Sequence, residues 1–113
     1  MIILDTNVLS ETLRPTPSTK VLEWMRSEPA SALFTTAITE SELLYGIALL
    51  PEGTRRHSLA SVVDLIFAED LAGRVLPFDS AAAREFAHIA ASRRRAGQPI
   101  SDARIAAIAR SRG

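Results

Sequence analysis

The chain opens on four apolar residues, Met1-Ile2-Ile3-Leu4, and then meets Asp5. A short unbroken apolar run predicts a central strand buried on both faces, with Asp5 emerging at the carboxyl edge of the sheet. Pro15 and Pro17 punctuate a loop, after which Val21, Leu22, Trp24 and Met25 fall on one face of a helix ending near Pro29. A second strand is predicted around residues 32–36. From Thr39 onward Leu43, Leu44, Ile47 and Leu50 recur at helical spacing, with Thr39 placed to cap the helix and Pro51 to close it. Residues 55–69 read as another helix through Leu59, Val62, Val63 and Ile66, and Gly73 precedes a short strand at residues 74–77. Asp79 or Ser80 then caps a long alanine-rich helix carrying Phe86 and Ile89. Gly97 and Pro99 break that pattern, and Ser101 is placed to cap a last helix containing Ile105 and Ile108. Strands alternating with helices in this order predict an α/β sandwich with a central parallel sheet flanked by helices.

Composition narrows the picture. A chain of 113 residues, 47% of them hydrophobic, has the material for one compact domain over residues 1–113. No apolar run approaches the roughly 18 residues of a membrane span, so a soluble, unprocessed, cytoplasmic protein without a membrane partner is expected. The absence of cysteine excludes a disulfide framework, a thiolate nucleophile and a cysteine zinc site, so any metal must be held mainly by oxygen. The formal net charge of zero excludes an overall basic field for nucleic acid. Lys20 is nevertheless the only lysine, and arginine gathers at Arg55-Arg56 and Arg93-Arg94-Arg95. Those clusters read either as solvated helix faces or as planar forks for phosphate.

Three acidic residues can carry chemistry, and each also has an ordinary reading. Asp5 ends the first predicted strand, where ligand sites occur in open parallel sheets, yet aspartate at a strand end also caps the helix that follows. Glu42 lies three residues after Thr39, the spacing of a capping box; the same place sets a carboxylate at the positive end of a helix, suited to a metal or its bound water. Asp102 stands in the first turn of the last helix, where the helix dipole alone favours an acid. Should the three converge, they would offer hard oxygen ligands to Mg²⁺ or Mn²⁺. Glu40 points to another helical face. His57 and His88 belong to no metal-ligand spacing or nucleophile triad and read as surface or boundary residues. Trp24, Phe34, Phe67, Phe78 and Phe86 fall in apolar patterns, which predicts core packing or a dimer contact rather than base stacking. No glycine-rich phosphate loop is present.

Four segments in order resemble PIN-domain ribonuclease toxins of the VapC and FitB type. They are Ile2-Ile3-Leu4-Asp5-Thr6-Asn7-Val8-Leu9-Ser10-Glu11, Ala37-Ile38-Thr39-Glu40-Ser41-Glu42-Leu43-Leu44-Tyr45-Gly46-Ile47, Gly73-Arg74-Val75-Leu76-Pro77-Phe78-Asp79 and Asp102-Ala103-Arg104-Ile105-Ala106-Ala107-Ile108-Ala109. The resemblance spans nearly the whole chain and implies a PIN-like three-layer sandwich. It further implies the toxin component of a type II toxin-antitoxin system, a Mg²⁺-dependent endoribonuclease, with Mn²⁺ as a substitute ion. Asp5 and Asp102 would be direct ligands, and Glu42 would ligate or position metal-bound water, with Thr6 and Asn7 supporting Asp5. The implied partners are an RNA substrate, a cognate antitoxin protein, and a second copy in a homodimer within a toxin-antitoxin hetero-oligomer. The family pattern continues past this chain's last residues into another strand and a further acidic motif, and residues 99–102 are about two residues shorter than the pattern. Those departures motivate the alternative of a catalytically impaired PIN-fold module that binds RNA or protein. A phosphoryl-accepting receiver-like domain around Asp5 fits the element order but lacks a late lysine.

Overall fold

A computed structural model describes residues 1–113. Three short parallel strands, β1 (Ile2–Ile3), β2 (Leu33–Thr36) and β3 (Val75–Leu76), lie side by side in that order. Ile2 pairs with Leu33 and Ile3 with Phe34, while Thr35 pairs with Val75 and Thr36 with Leu76. The middle strand is therefore β2, and the expectation that the opening apolar run forms a central strand is corrected: β1 is an edge of this sheet, and Ile2 and Ile3 are only half-buried. β2 is paired on both sides, and Leu33, Thr35 and Thr36 are all shielded from solvent there.

Alternation along the strands divides the interior into two cores. Leu4, Leu33, Ile2 and Val75 face one side, where they meet Leu9, Leu43, Leu71, Met25, Ile66 and Phe67. Ile3, Phe34 and Leu76 face the other, against Ala82, Ile108, Ile38 and Phe78. Helices α1 (Thr6–Thr12), α2 (Thr19–Ser27), α3 (Ala37–Ala48) and α4 (Thr54–Leu65) precede β3, and α5 (Ser80–Arg95) and α6 (Ala103–Ser111) follow it. The α5–α6 pair builds the second layer through small residues: Ala82, Ala103 and Ala107 are fully buried, which lets the two helices approach closely around Ile108. The result is the layered α/β sandwich with a parallel sheet that the element order predicts.

Local signals explain most boundaries, with instructive exceptions. Asp79 caps α5 by accepting the Ala82 N–H at 3.0 Å, and Ser18 caps α2. The helix expected to start at Thr39 starts at Ala37, because Thr36 is the cap and accepts the Thr39 N–H at 3.1 Å. It ends at Ala48, so Leu50 lies beyond it and Leu44 faces solvent. The helix predicted through residue 69 stays α-helical only to Leu65, then widens into a π-turn at Ile66–Asp70 closed by the Leu71 N–H on the Ile66 carbonyl at 2.8 Å. That turn sets Ile66, Phe67 and Leu71 against the first core. Trp24 does not join a core; it is 41% exposed on α2. His57 and His88 are exposed, as expected of surface residues. No helix is long and apolar enough to cross a membrane.

Candidate active site

The carboxyl ends of β1 and β2 carry the residues that matter. Asp5 follows β1 directly and caps α1, its Oδ1 accepting the Val8 N–H at 3.0 Å. The ordinary reading of Asp5 is thus true, and it leaves the second carboxylate oxygen outside that bond. Beneath it lies a set of threonines. Thr35 donates to the Leu4 carbonyl at 2.8 Å, which ties the end of β1 to β2. Thr6 donates to the Thr39 hydroxyl at 3.2 Å and Thr36 approaches the same oxygen at 3.4 Å, so the starts of α1 and α3 are stitched together. Thr35, Thr36 and Thr39 are each 0% exposed, and no buried side-chain polar atom lacks a partner. Buried hydroxyls satisfied in this way fix the backbone that carries Asp5.

Glu42 sits in the second turn of α3, since Thr36 is the cap. The capping-box reading is therefore excluded on geometry: a box glutamate would occupy the position taken by Thr39. Glu42 is exposed and makes no ion pair, which leaves its carboxylate free on the wall of the cleft. Asp102 occupies the cap position of α6, where Ser101 was expected, but its side chain makes no capping bond. It pairs instead with the Arg93 guanidinium, which comes from the last turn of α5. The arginine cluster at residues 93–95 is thus not a uniformly solvated face.

Asp5, Glu42 and Asp102 line one cleft of about 310 Å³, together with Thr6, Asn7, Ser101 and one wall of Ile3, Ile105, Ala106 and Ala109. Three carboxylates separated by tens of residues thereby open onto a common space, at the carboxyl edge of a parallel sheet. Their oxygens, flanked by hydroxyl and amide groups, are the donor type that suits Mg²⁺ or Mn²⁺. As they stand, no three acidic or histidine side chains are close enough to enclose one ion. Arg93 engages one oxygen of Asp102, Oδ1, and so competes with a cation for that carboxylate. Missed by sequence reasoning were Thr35 and Thr36 as positioning residues; the Thr-Thr pair ending an apolar strand was the available signal.

Comparison with known proteins shows the family. A PIN domain profile matches residues 2–113. The chain belongs to the PIN-domain family. Among curated relatives it is 40% identical to the VapC ribonuclease Y4jK of Sinorhizobium fredii over 115 residues, covering 100% of this chain and 82% of that protein. It is 39% identical to Toxin FitB of Neisseria gonorrhoeae over 112 residues, covering 97% and 81%. Among solved structures, FitAcB from Neisseria gonorrhoeae superposes with a TM-score of 0.89 at 38% identity, over 99% of this chain and 82% of the other. The DNA-bound VapBC from Salmonella typhimurium gives 0.81 at 30% identity, over 98% and 80%. The PIN domain described above is therefore of the VapC/FitB type.

Proposed function

We propose that this PIN domain is the toxin component of a type II toxin-antitoxin pair and a metal-dependent endoribonuclease working as one domain over residues 1–113. The observation that carries the reading is the opening of Asp5, Glu42 and Asp102 onto a single cleft. Asp5 and Asp102 would ligate Mg²⁺, with Mn²⁺ as substitute, and Glu42 would ligate or orient water. When bound, the ion supplies Lewis-acid stabilisation of charge on the scissile phosphate and a more acidic water. The protein's own part is positional. Thr35 anchors the Leu4 carbonyl, Thr6 and Thr39 hold the start of α1 against α3, and Asp5 is held by its cap bond to Val8. Such preorganisation spares the carboxylates from reorganising as charge develops.

A cognate antitoxin is the expected partner, in line with the FitAcB and VapBC assemblies, and a cytoplasmic pair fits the proposed RNA substrate. Leu44 and Tyr45 on α3, Leu49 just after it, and Val62 and Leu65 on α4 are large apolar side chains left in solvent, which supports protein contacts there, including a homodimer.

The deciding experiment is cleavage of a structured RNA mixture by antitoxin-free protein with Mg²⁺, with Mn²⁺ and with EDTA, beside Asp5→Asn. Metal-dependent cutting is expected, lost with EDTA and reduced at least about a hundredfold by Asp5→Asn. The engagement of Asp102 by Arg93 favours a second reading, a catalytically impaired PIN fold that binds RNA or protein. Absence of cutting by folded, metal-supplied protein would select it.

A further inference from the structure

Next to the acidic cleft the surface opens into a second recess of about 600 Å³, lined by Asn7, Arg93, Gln98, Pro99, Ser101 and Asp102. It shares Asn7, Ser101 and Asp102 with the cleft, so the two are continuous, yet it contains no aliphatic wall. Its size falls in the range of small-ligand sites. The end of α5 fixes the recess. The Gln98 N–H bonds the Arg93 carbonyl at 2.8 Å and the Gly97 N–H bonds the Arg94 carbonyl at 3.1 Å, with Gly97 at φ 71°. This is a Schellman closure, which only a left-handed residue such as glycine completes easily. Arg93 and Gln98, five residues apart, are thereby held in one rigid turn and present a guanidinium and an amide to the same space.

We infer that this recess is the subsite for the RNA nucleotide beside the scissile phosphate, and that Arg93 exchanges partners as the site fills. Arg93 neutralises Asp102, which lines one cleft with two other acids. Once Asp102 turns to a divalent cation, the guanidinium is left at the mouth of a recess adjoining an anionic polymer. The Arg93 side chain is only 27% exposed against 68% for Asp102, so its stem is packed and its head has a short reach. A planar fork there suits a phosphate, and an unpaired base offers its whole Watson–Crick edge to the Gln98 amide, which favours single-stranded RNA. Arg94 and Arg95 are exposed and do not line the recess. The inference rests on the nuclease reading above.

Arg93→Gln, Arg93→Lys and, as a control of equal charge change, Arg94→Gln would be compared with the parent protein. Mn²⁺ binding is followed by calorimetry, and binding of a fluorescent single-stranded RNA of mixed sequence by anisotropy, with Ca²⁺ replacing Mg²⁺ to suppress cutting. Arg93→Gln is expected to bind Mn²⁺ about two- to fivefold more tightly, because a competing ion pair is gone. Its RNA affinity should fall about tenfold, and the slope of log affinity against log salt should shrink by about 0.7. Arg93→Lys should keep the slope and lose part of the affinity, and Arg94→Gln should leave Mn²⁺ binding unchanged. A damaged fold would weaken both ligands together, so tighter metal with weaker RNA is a result that misfolding does not produce. Unchanged RNA affinity, or Mn²⁺ bound no more tightly, in Arg93→Gln overturns the inference. A parent protein that binds neither RNA nor metal overturns the nuclease reading, and the Arg93 role falls with it.

Discussion

Asp5 and Asp102 are both exposed, but the backbone carrying Asp5 is tied down by buried threonine hydroxyls, whereas Asp102 stands on a turn between two helices and leans on an arginine. On the first side, hydrogen bonds of 2.8 to 3.2 Å lock strand ends to helix starts, away from water. On the second, placement comes from α5 and α6 packing through alanines and from exposed ion pairs, Arg110 with Glu85 at 3.0 Å and Arg112 with Asp79 at 3.6 Å. Buried, satisfied hydroxyls resist displacement, while exposed ion pairs are screened and weak. Both walls thus have a fixed backbone, and on the second it is the side-chain ion pairs that can exchange, which is what a site needs if one of its carboxylates changes partner.

The largest effect expected on this contrast comes from Ile108→Ala. Ile108 is 0% exposed and anchors α6 in the second core, so truncation should lower stability by about 2–5 kcal/mol in urea unfolding. A change no larger than that of a surface substitution would mean that the Asp102 wall is not held through α6. Thr39→Val comes next. It keeps the shape but removes the oxygen to which the Thr6 and Thr36 hydroxyls donate, while Thr36 still accepts the backbone N–H of residue 39, and about 1–3 kcal/mol of stability should go. RNA cleavage measured on the fraction that remains folded should also drop, since Asp5 loses its support; full activity there would show that the threonine floor does not position the site.

Gly97→Ala should cost about 1 kcal/mol because of its positive φ. Hydrogen exchange should quicken at the Gln98 amide and not at the Thr39 amide, which separates the two walls directly. Smallest is the coupling between Arg110 and Glu85, with Arg110 66% exposed: a double-mutant cycle should give about 0–1 kcal/mol. A clearly larger value would make the second wall stiffer than the geometry implies.

Much of this arrangement is legible in the residues alone. Proline, glycine and capping residues placed the helices, and Asp79 and Gly97 act as their types predict. The motif blocks singled out Asp5, Glu42 and Asp102 while their spacing left cap and ligand unresolved. Only partner identity separates those readings. Asp5 proved to cap its helix and line the cleft at once, Glu42 proved not to cap because Thr36 took that place, and Asp102 occupies a cap position without capping. Local pattern could not foresee this, because one turn of helix offers similar donors to any nearby oxygen.

Local chemistry, then, determined the order of elements, the apolar faces and the hard-oxygen character of any metal site, since these follow from side-chain type and short-range backbone preference. Tertiary structure decided that β2 rather than β1 is central, that Trp24 packs in neither core, and that Arg93 reaches Asp102. Each of those depends on contacts between segments distant along the chain, where burial and charge pairing are settled by packing rather than by any residue's own preference.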